Sequence, residues 1–201
     1  MALTLRGLYA ITPERLDRVA EAIGSGALCA LQYRSKSADA ARRRDEALAL
    51  ARLCRRHGVP LIVNDDLELA LQVGADGAHL GREDGGLAAA RARLGARILG
   101  VSCYDSLAAA RAAVAAGADY VAFGSVFASP TKPGAVRAPL ELFSHALGVP
   151  KVAIGGITAA NAPQLAAAGA DAVAVISDLF DAPDVAARAR EYAKVFAHGI
   201  A

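Results

Sequence analysis

One stretch decides the fold: GADYVAFGSVF, at Gly117–Phe127. Its Gly-Ala-Asp opening follows a segment with apolar residues at helical spacing, and the apolar run after it is typical of a buried strand. The same tripeptide occurs at Gly74–Asp76 and Gly169–Asp171, again between a helical segment and an apolar run. Because a glycine lets the chain leave a helix through the left-handed region, the repeat predicts a structural role at these connections.

Eight short apolar runs alternate with helical segments along the chain. The runs are LYAIT (Leu8–Thr12), ALCALQYR (Ala27–Arg34), LIVND (Leu61–Asp65), GAHLG (Gly77–Gly81), ILGVS (Ile98–Ser102), YVAFGSVF (Tyr120–Phe127), KVAIGG (Lys151–Gly156) and AVAVIS (Ala172–Ser177). This alternation predicts a parallel sheet with helices outside it. Eight units without a long insertion favour a single-domain (β/α)8 TIM barrel over residues 1–201, near the lower size limit of about 200 residues.

Composition narrows the class of protein. A net charge of +2 gives no general case for binding nucleic acid or an anionic membrane. Three widely spaced cysteines, Cys29, Cys54 and Cys103, form neither a disulfide framework nor a zinc pattern, as is typical of a reducing compartment. The longest uncharged run, Val152–Ala170, contains glycines and a proline and predicts strand, loop and helix rather than a membrane span. We therefore expect a soluble cytoplasmic protein.

Polar residues follow several of the predicted strands. In TIM barrels the active site lies at the carboxyl ends of the strands. The cations Arg34, Lys36 and Lys132 fall at those ends, and cationic side chains suit phosphate oxygens. Asp65 ends the third run and Asp84 follows the fourth, and Mg²⁺ is usually held by one or two carboxylates together with substrate phosphates. The rim therefore predicts a magnesium diphosphate site.

A second anion site is predicted on the same rim. Gly155-Gly156 ends the seventh run, and Ile176-Ser177 ends the eighth. These are the usual positions of a barrel phosphate site, in which backbone N–H groups receive the phosphate oxygens. Two phosphate sites on one rim favour a reaction that joins two phosphorylated molecules.

Seven motifs occur in order between Leu8 and Phe180. They are QYRSK (Gln32–Lys36), VNDDLELA (Val63–Ala70), GADGAHLGRED (Gly74–Asp84), GVS (Gly100–Ser102), SPTK (Ser129–Lys132), AIGGI (Ala153–Ile157) and VIS (Val175–Ser177). On these motifs the sequence resembles the thiamine phosphate synthase family, which joins an aminopyrimidine methyl diphosphate to a thiazole phosphate and releases diphosphate. Two departures are Thr12-Pro13, where Thr-Asp is usual, and Ser129-Pro130, in a loop that usually reads Thr-x-Thr-Lys.

The resemblance implies roles for individual residues. The implied diphosphate ligands are Arg34, Lys36, Asn64, Ser102 and Lys132, and all of these except Asn64 would also assist the departure of diphosphate. Asp65 and Asp84 would hold Mg²⁺, and Gln32 would face the pyrimidine. The implied ligands of the thiazole phosphate are Ser129, Thr131, Gly156, Ile176 and Ser177. In the implied mechanism diphosphate leaves first and the thiazole nitrogen captures the pyrimidine cation, so the protein supplies no nucleophile.

Two other functions are compatible with parts of the pattern. A thiazole tautomerase paralogue or a non-catalytic barrel that binds a phosphate ligand would keep the monophosphate site. Neither function would need the predicted cations together with both carboxylates. The presence of both sets of residues therefore favours the synthase. The expected ligands are two small molecules, and the sequence leaves a homodimer open.

Other polar residues have structural interpretations. Asp66 is expected to start a helix, because a carboxylate is favoured at a helix amino terminus. His79, in the middle of a strand, is expected to be a hydrogen-bonded residue of the barrel or its rim rather than a base. Cys103 is expected to be a packing residue, and Arg42–Arg44 a solvated helix face.

Overall fold

A computed structural model describes residues 5–81, 86–128 and 136–197. The strands are β1 (Gly7–Ile11), β2 (Leu28–Tyr33), β3 (Leu61–Asn64), β4 (Gly77–Leu80), β5 (Ile98–Tyr104), β6 (Tyr120–Gly124), β7 (Lys151–Ile154) and β8 (Ala172–Val175). The α-helices are α1 (Val19–Gly24), α2 (Ala40–His57), α3 (Leu67–Gln72), α4 (Leu87–Leu94), α5 (Leu107–Ala115), α6 (Ala162–Ala167), α7 (Ser177–Phe180) and α8 (Val185–Ala197).

The eight strands form one closed parallel barrel in chain order, with β8 paired to β1. The prediction of a (β/α)8 barrel is confirmed. The units are not identical, because the described part of the β6–β7 connection contains a short 3₁₀ helix, Leu140–Ser144, and two helices follow β8.

Apolar side chains pack in two layers, as expected for strands buried on both faces. The inner layer fills the barrel with residues such as Tyr9, Ile62, Tyr120 and Val152. The outer layer lies between the strands and the helices. Both layers are needed because successive side chains of a strand point to opposite faces.

The Gly-Ala-Asp repeat has the predicted structural role. Its glycines have positive φ angles of 63°, 90° and 97°, which a residue with a side chain rarely adopts. Oδ2 of Asp76, Asp119 and Asp171 each accepts a 2.8 Å hydrogen bond from a backbone N–H near the start of β3, β5 or β7. These bonds join neighbouring strands at the amino end of the barrel, opposite the predicted active site.

The structure also describes the cysteines and the apolar character of the helices. The three cysteines are free thiols, and Cys54 and Cys103 are buried. Within the described ranges, no helix has both the length and the apolar character needed to cross a membrane.

Candidate active site

A cavity of about 430 Å³ opens at the carboxyl ends of β2 and β3. Arg34, Lys36, Asn64 and Asp65, all predicted from the sequence, line it. The parallel sheet brings them together because β2 and β3 are neighbours and end at the same edge. Two cations, an amide and a carboxylate thus share one opening.

The end of β2 is fixed by Thr12. Its hydroxyl donates to the carbonyl of Arg34 at 3.1 Å and accepts the N–H of Arg34 at 2.9 Å. The N–H of Thr12 also donates to the carbonyl of Gln32 at 2.9 Å. Thr12 is buried, so this short network sets where Arg34 enters the cavity wall. The residue after it, Pro13, departs from the family pattern without disturbing these bonds.

The two aspartates that follow β3, Asp65 and Asp66, differ in backbone conformation and in their hydrogen bonds. Asp65 has a φ of 62°, and its N–H donates to the carbonyl of His79 at 2.8 Å. The left-handed conformation is tolerated better by Asp and Asn than by most other residues. Asp66 caps α3, accepting the N–H of Leu69 at 2.9 Å, as predicted. The two neighbours therefore differ in role: Asp66 caps α3, whereas Asp65 adopts a left-handed backbone at the end of β3.

The cavity wall also contains Arg43, a cation that the sequence interpretation assigned to a solvated helix face. Arg43 lines the cavity, donates to the carbonyl of Ser37 at 2.8 Å and lies 3.6 Å from Asp66 Oδ2. Arg42 and Arg44 are more than half exposed, as expected for a solvated face, whereas the Arg43 side chain is 29% exposed. The signal was present in the sequence, because position 43 continues the helical spacing of the buried face of α2.

The loop after β7 is pressed against the segment that follows β6. Gly155 and Gly156 have φ angles of 104° and 64°. A Cβ on Gly155 would lie 2.1 Å from Ser125 Oγ, and one on Gly156 would lie 2.4 Å from the carbonyl oxygen of Ala128. Both positions therefore require glycine, because the loop packs directly against residues 125–128.

Asp178 links the two halves of the predicted monophosphate site. It is the second residue of α7, directly after Ser177. Its Oδ2 accepts the Tyr192 hydroxyl at 2.7 Å, the Arg188 guanidinium at 2.7 Å and the N–H of Ala159 at 3.2 Å. Ala159 lies in the loop that begins at Gly155, so Asp178 connects that loop to α7 and α8. Burial acts to raise the pKa of the Asp178 carboxyl, but the hydrogen bonds from Tyr192 and Arg188 outweigh it and leave the pKa lowered.

A row of polar side chains crosses the barrel interior below the rim. Gln32 Nε2 donates to the Tyr9 hydroxyl at 3.1 Å, and that hydroxyl lies 2.7 Å from the hydroxyl of Tyr120. His79 lies 2.9 Å from Tyr120 through Nδ1 and 2.8 Å from Ser102 through Nε2. The expectation that His79 is a hydrogen-bonded barrel residue is confirmed.

Gly100 makes room for this row. A Cβ at Gly100 would lie 2.0 Å from the Tyr120 ring, so no other residue fits beside that ring. Tyr120 also stacks on His79, with ring centroids 5.5 Å apart. The GVS motif therefore supplies both the space for Tyr120 and, at Ser102, one end of the row.

Cys103 is a packing residue, as predicted. Its side chain is buried, and burial raises the pKa of the thiol to about 12. A thiol with so high a pKa is almost entirely protonated at neutral pH and is a poor nucleophile.

Four predicted site residues lie outside the described residues: Asp84, Ser129, Thr131 and Lys132. Among the residues that are described, no group of three or more His, Cys, Asp or Glu side chains could hold a metal ion. The oxygen donors of Asn64 and Asp65 at the cavity nevertheless fit Mg²⁺, which prefers hard oxygen ligands and completes its shell with substrate phosphates.

Known proteins resemble this chain in sequence and in fold. The family model for thiamine monophosphate synthase matches residues 8–179. The chain is 58% identical to a thiamine-phosphate synthase of Chromobacterium violaceum over 200 residues, covering 96% of this chain and 97% of that one. It is 59% identical to another of Aromatoleum aromaticum over 201 residues, with the same coverage of the two chains. Among solved structures, a thiamine phosphate pyrophosphorylase from Pyrococcus furiosus superposes with a TM-score of 0.86 at 32% identity, covering 99% of this chain and 98% of that one. The chain belongs to the thiamine monophosphate synthase family.

Proposed function

We propose that this enzyme forms thiamine phosphate and diphosphate from an aminopyrimidine methyl diphosphate and a thiazole phosphate, by a dissociative substitution. The observation that carries the mechanism is the cavity in which Arg34, Lys36, Asn64 and Asp65 share one opening. Cations beside a carboxylate suit a diphosphate that arrives with a divalent ion. A site for a monophosphate alone would not need that carboxylate.

The diphosphate end of the first substrate is assigned to the rim of β2, β3, β5 and the loop after β6. Arg34, Lys36 and Lys132 supply positive charge, while Asn64 and Ser102 supply neutral polar contacts. Charge that develops on the departing oxygens is stabilised by groups already held in place, such as Arg34, whose backbone is fixed by Thr12.

Asp65 and Asp84 are the proposed metal ligands. Mg²⁺ bound there would neutralise charge on the diphosphate and make it a better leaving group. The position of Asp65 in the cavity wall supports this assignment.

The thiazole phosphate is assigned to the rim of β7 and β8. Backbone N–H groups of Gly156, Ile176 and Ser177 would receive its oxygens, and the hydroxyls of Ser129 and Thr131 would complete the site. The packing of Gly156 against the carbonyl of Ala128 supports this arrangement, because it brings the β7 loop next to the segment that leads to Ser129.

The pyrimidine is assigned to the barrel mouth, where Gln32 would orient it. No protein nucleophile is required, because the amino group of the ring stabilises the cation left by diphosphate departure. The protein's remaining task is to exclude water, which would trap that cation. We place the reaction in the cytoplasm, in keeping with three free cysteines.

The test is reconstitution with purified protein, both substrates and either Mg²⁺ or a chelator. Thiamine phosphate is measured by fluorescence after oxidation. We expect product only with metal, and none from an Asp65→Asn variant, whereas Asp45→Asn, at an exposed position of α2, should behave as wild type. Turnover in chelator at the full rate would refute the role of the metal. Binding of thiazole phosphate without any product would instead favour a tautomerase or a phosphate-binding barrel.

A further inference from the structure

The five side chains that cross the barrel form an unbroken row of hydrogen bonds: Gln32, Tyr9, Tyr120, His79 and Ser102. Its two ends are the residues assigned to the pyrimidine and to the diphosphate. The three members between them, Tyr9, Tyr120 and His79, are buried. The row therefore joins the two proposed ligand positions through side chains inside the barrel.

Each member of the row can donate only a limited number of hydrogens along it. Burial raises the pKa of Tyr9 and of Tyr120, so each phenol keeps its single hydrogen. Neutral histidine also has one N–H, on one nitrogen or the other. Each pair of neighbouring groups must share one hydrogen. If both groups pointed a hydrogen at each other, or neither did, a buried polar atom would be left unpaired, which is costly. The hydrogens along the row must therefore all point the same way.

Two arrangements satisfy this condition. In the first, Gln32 donates to Tyr9, Tyr9 to Tyr120 and Tyr120 to Nδ1 of His79, and Nε2–H of His79 donates to Ser102. Ser102 then has its own hydrogen available for a ligand, and Gln32 has its carbonyl oxygen available. In the second every bond is reversed, so that Ser102 offers only lone pairs. The Gln32 carboxamide is then turned, with its oxygen toward Tyr9 and its N–H group toward the ligand. The structure has Gln32 Nε2 as the donor to Tyr9, as in the first arrangement.

We propose that Tyr9, Tyr120 and His79 are positioning residues that couple diphosphate binding at Ser102 to the orientation of the Gln32 carboxamide, and so to selection of an aminopyrimidine. The proposal rests on the proposed function. Diphosphate oxygens only accept hydrogen bonds, so a bound diphosphate requires Ser102 to donate. That requirement selects the first arrangement, which turns the Gln32 carbonyl toward the ring's amino group. A ring with an oxo group in that position needs the second arrangement, in which Ser102 cannot donate to diphosphate.

The coupling is tested by binding two neutral pyrimidines with and without magnesium pyrophosphate. The probes are 4-amino-2,5-dimethylpyrimidine and its 4-oxo counterpart, which have no leaving group. In wild type we expect pyrophosphate to strengthen binding of the amino compound relative to the oxo compound by about tenfold, within the usual range of coupling between sites. Calorimetry gives all four dissociation constants.

Three variants distinguish loss of the coupling from a general loss of stability. Tyr120→Phe keeps the ring beside Gly100 but removes the middle of the row, and we expect it to reduce the pyrophosphate effect on selectivity to less than about twofold. Tyr9→Phe should do the same and serves as the second variant if Tyr120→Phe does not fold. Tyr192→Phe is the matched control, because it removes another buried hydroxyl, 2.7 Å from Asp178, and should leave the selectivity effect unchanged.

A second measurement observes the row directly. Nitrogen-15 NMR of His79 should show the Nε2–H tautomer when wild type is saturated with magnesium pyrophosphate. The Nδ1–H tautomer in that state, or wild-type coupling in both Tyr9→Phe and Tyr120→Phe, would overturn the proposal. Loss of the proposed function would look different, because wild type would then bind neither probe nor pyrophosphate.

Discussion

The strongest quantitative prediction concerns Asp178, which connects the loop after β7 to α7 and α8. Replacing it with Asn keeps the shape but removes the charge that accepts the bonds from Tyr192 and Arg188. A hydrogen bond to a charged group contributes about 1.5–3 kcal/mol and a neutral one about 1 kcal/mol. Weakening two such bonds should therefore cost about 2 kcal/mol, which in a chain of this size lowers Tm by roughly 4–8 °C.

The same change should affect one substrate and not the other. Because Asp178 holds the Ala159 loop and α7 in register, we expect KM for thiazole phosphate to rise in Asp178→Asn while KM for the pyrimidine diphosphate stays constant. Asp184→Asn is the control, since Asp184 accepts a 2.8 Å bond from Ala187 N–H at an exposed position. Asn and Asp are similar helix caps, so its Tm should fall by no more than about 2 °C. An Asp178→Asn protein as stable as this control, with an unchanged KM for thiazole phosphate, would refute the reasoning.

The stability difference should also depend on pH. The folded-state pKa of Asp178 is lowered, so its carboxylate contributes its full stabilisation above the unfolded-state value of about 3.9. That contribution is lost as the pH falls through the lower folded-state value. The difference in unfolding free energy between wild type and Asp178→Asn should therefore be constant from about pH 5 to 7 and should narrow below about pH 4, as measured by chemical denaturation.

Three further substitutions test the assignments at the rim. Asp65→Asn should abolish Mg²⁺-dependent turnover. Its Tm should not fall, because Asn also tolerates the φ of 62°. If the variant reached full activity in a magnesium titration, Asp65 would not be a metal ligand. Lys132→Ala should slow diphosphate departure, so an unchanged rate in single-turnover experiments would contradict its role. Ser177→Ala should raise KM for thiazole phosphate about tenfold, equivalent to about 1.4 kcal/mol, with kcat unchanged. An unaltered KM would count against the predicted monophosphate site.

The barrel could be predicted because its signals are local. A strand buried on both faces reads as a continuous apolar run, and the glycine of each Gly-Ala-Asp marks the end of a helix. Strand ends were less certain. The run Tyr120–Phe127 stays apolar, yet β6 stops at Gly124, after which Val126 and Phe127 donate to the carbonyls of Ile154 and Gly155. Apolar content cannot distinguish a strand from a packed loop of the same composition.

The rim of the site was predictable for a related reason. Arg34, Lys36, Asn64 and Asp65 are polar residues at the ends of apolar runs, so the fold rule alone assigns them to one edge. Arg43 was missed because it belongs to a run of three arginines, and a charge run usually indicates solvent. Its spacing to the buried residues of α2 was the better guide, since helical periodicity reports which face is covered.

The interior row was beyond sequence reasoning because its members are distant in the chain. Tyr9 and Tyr120 are 111 residues apart, and His79 is 41 residues from Tyr120. Each lies within an apolar run, where an aromatic residue is normally interpreted as part of the packed core. Barrel closure brings the three residues together, because it buries two hydroxyls and an imidazole side by side, where each forms hydrogen bonds within the row. Once every link must be satisfied, the direction of one hydrogen bond fixes the direction of the next. A polar group at the diphosphate end then cannot change its role from acceptor to donor unless the carboxamide at the pyrimidine end turns with it.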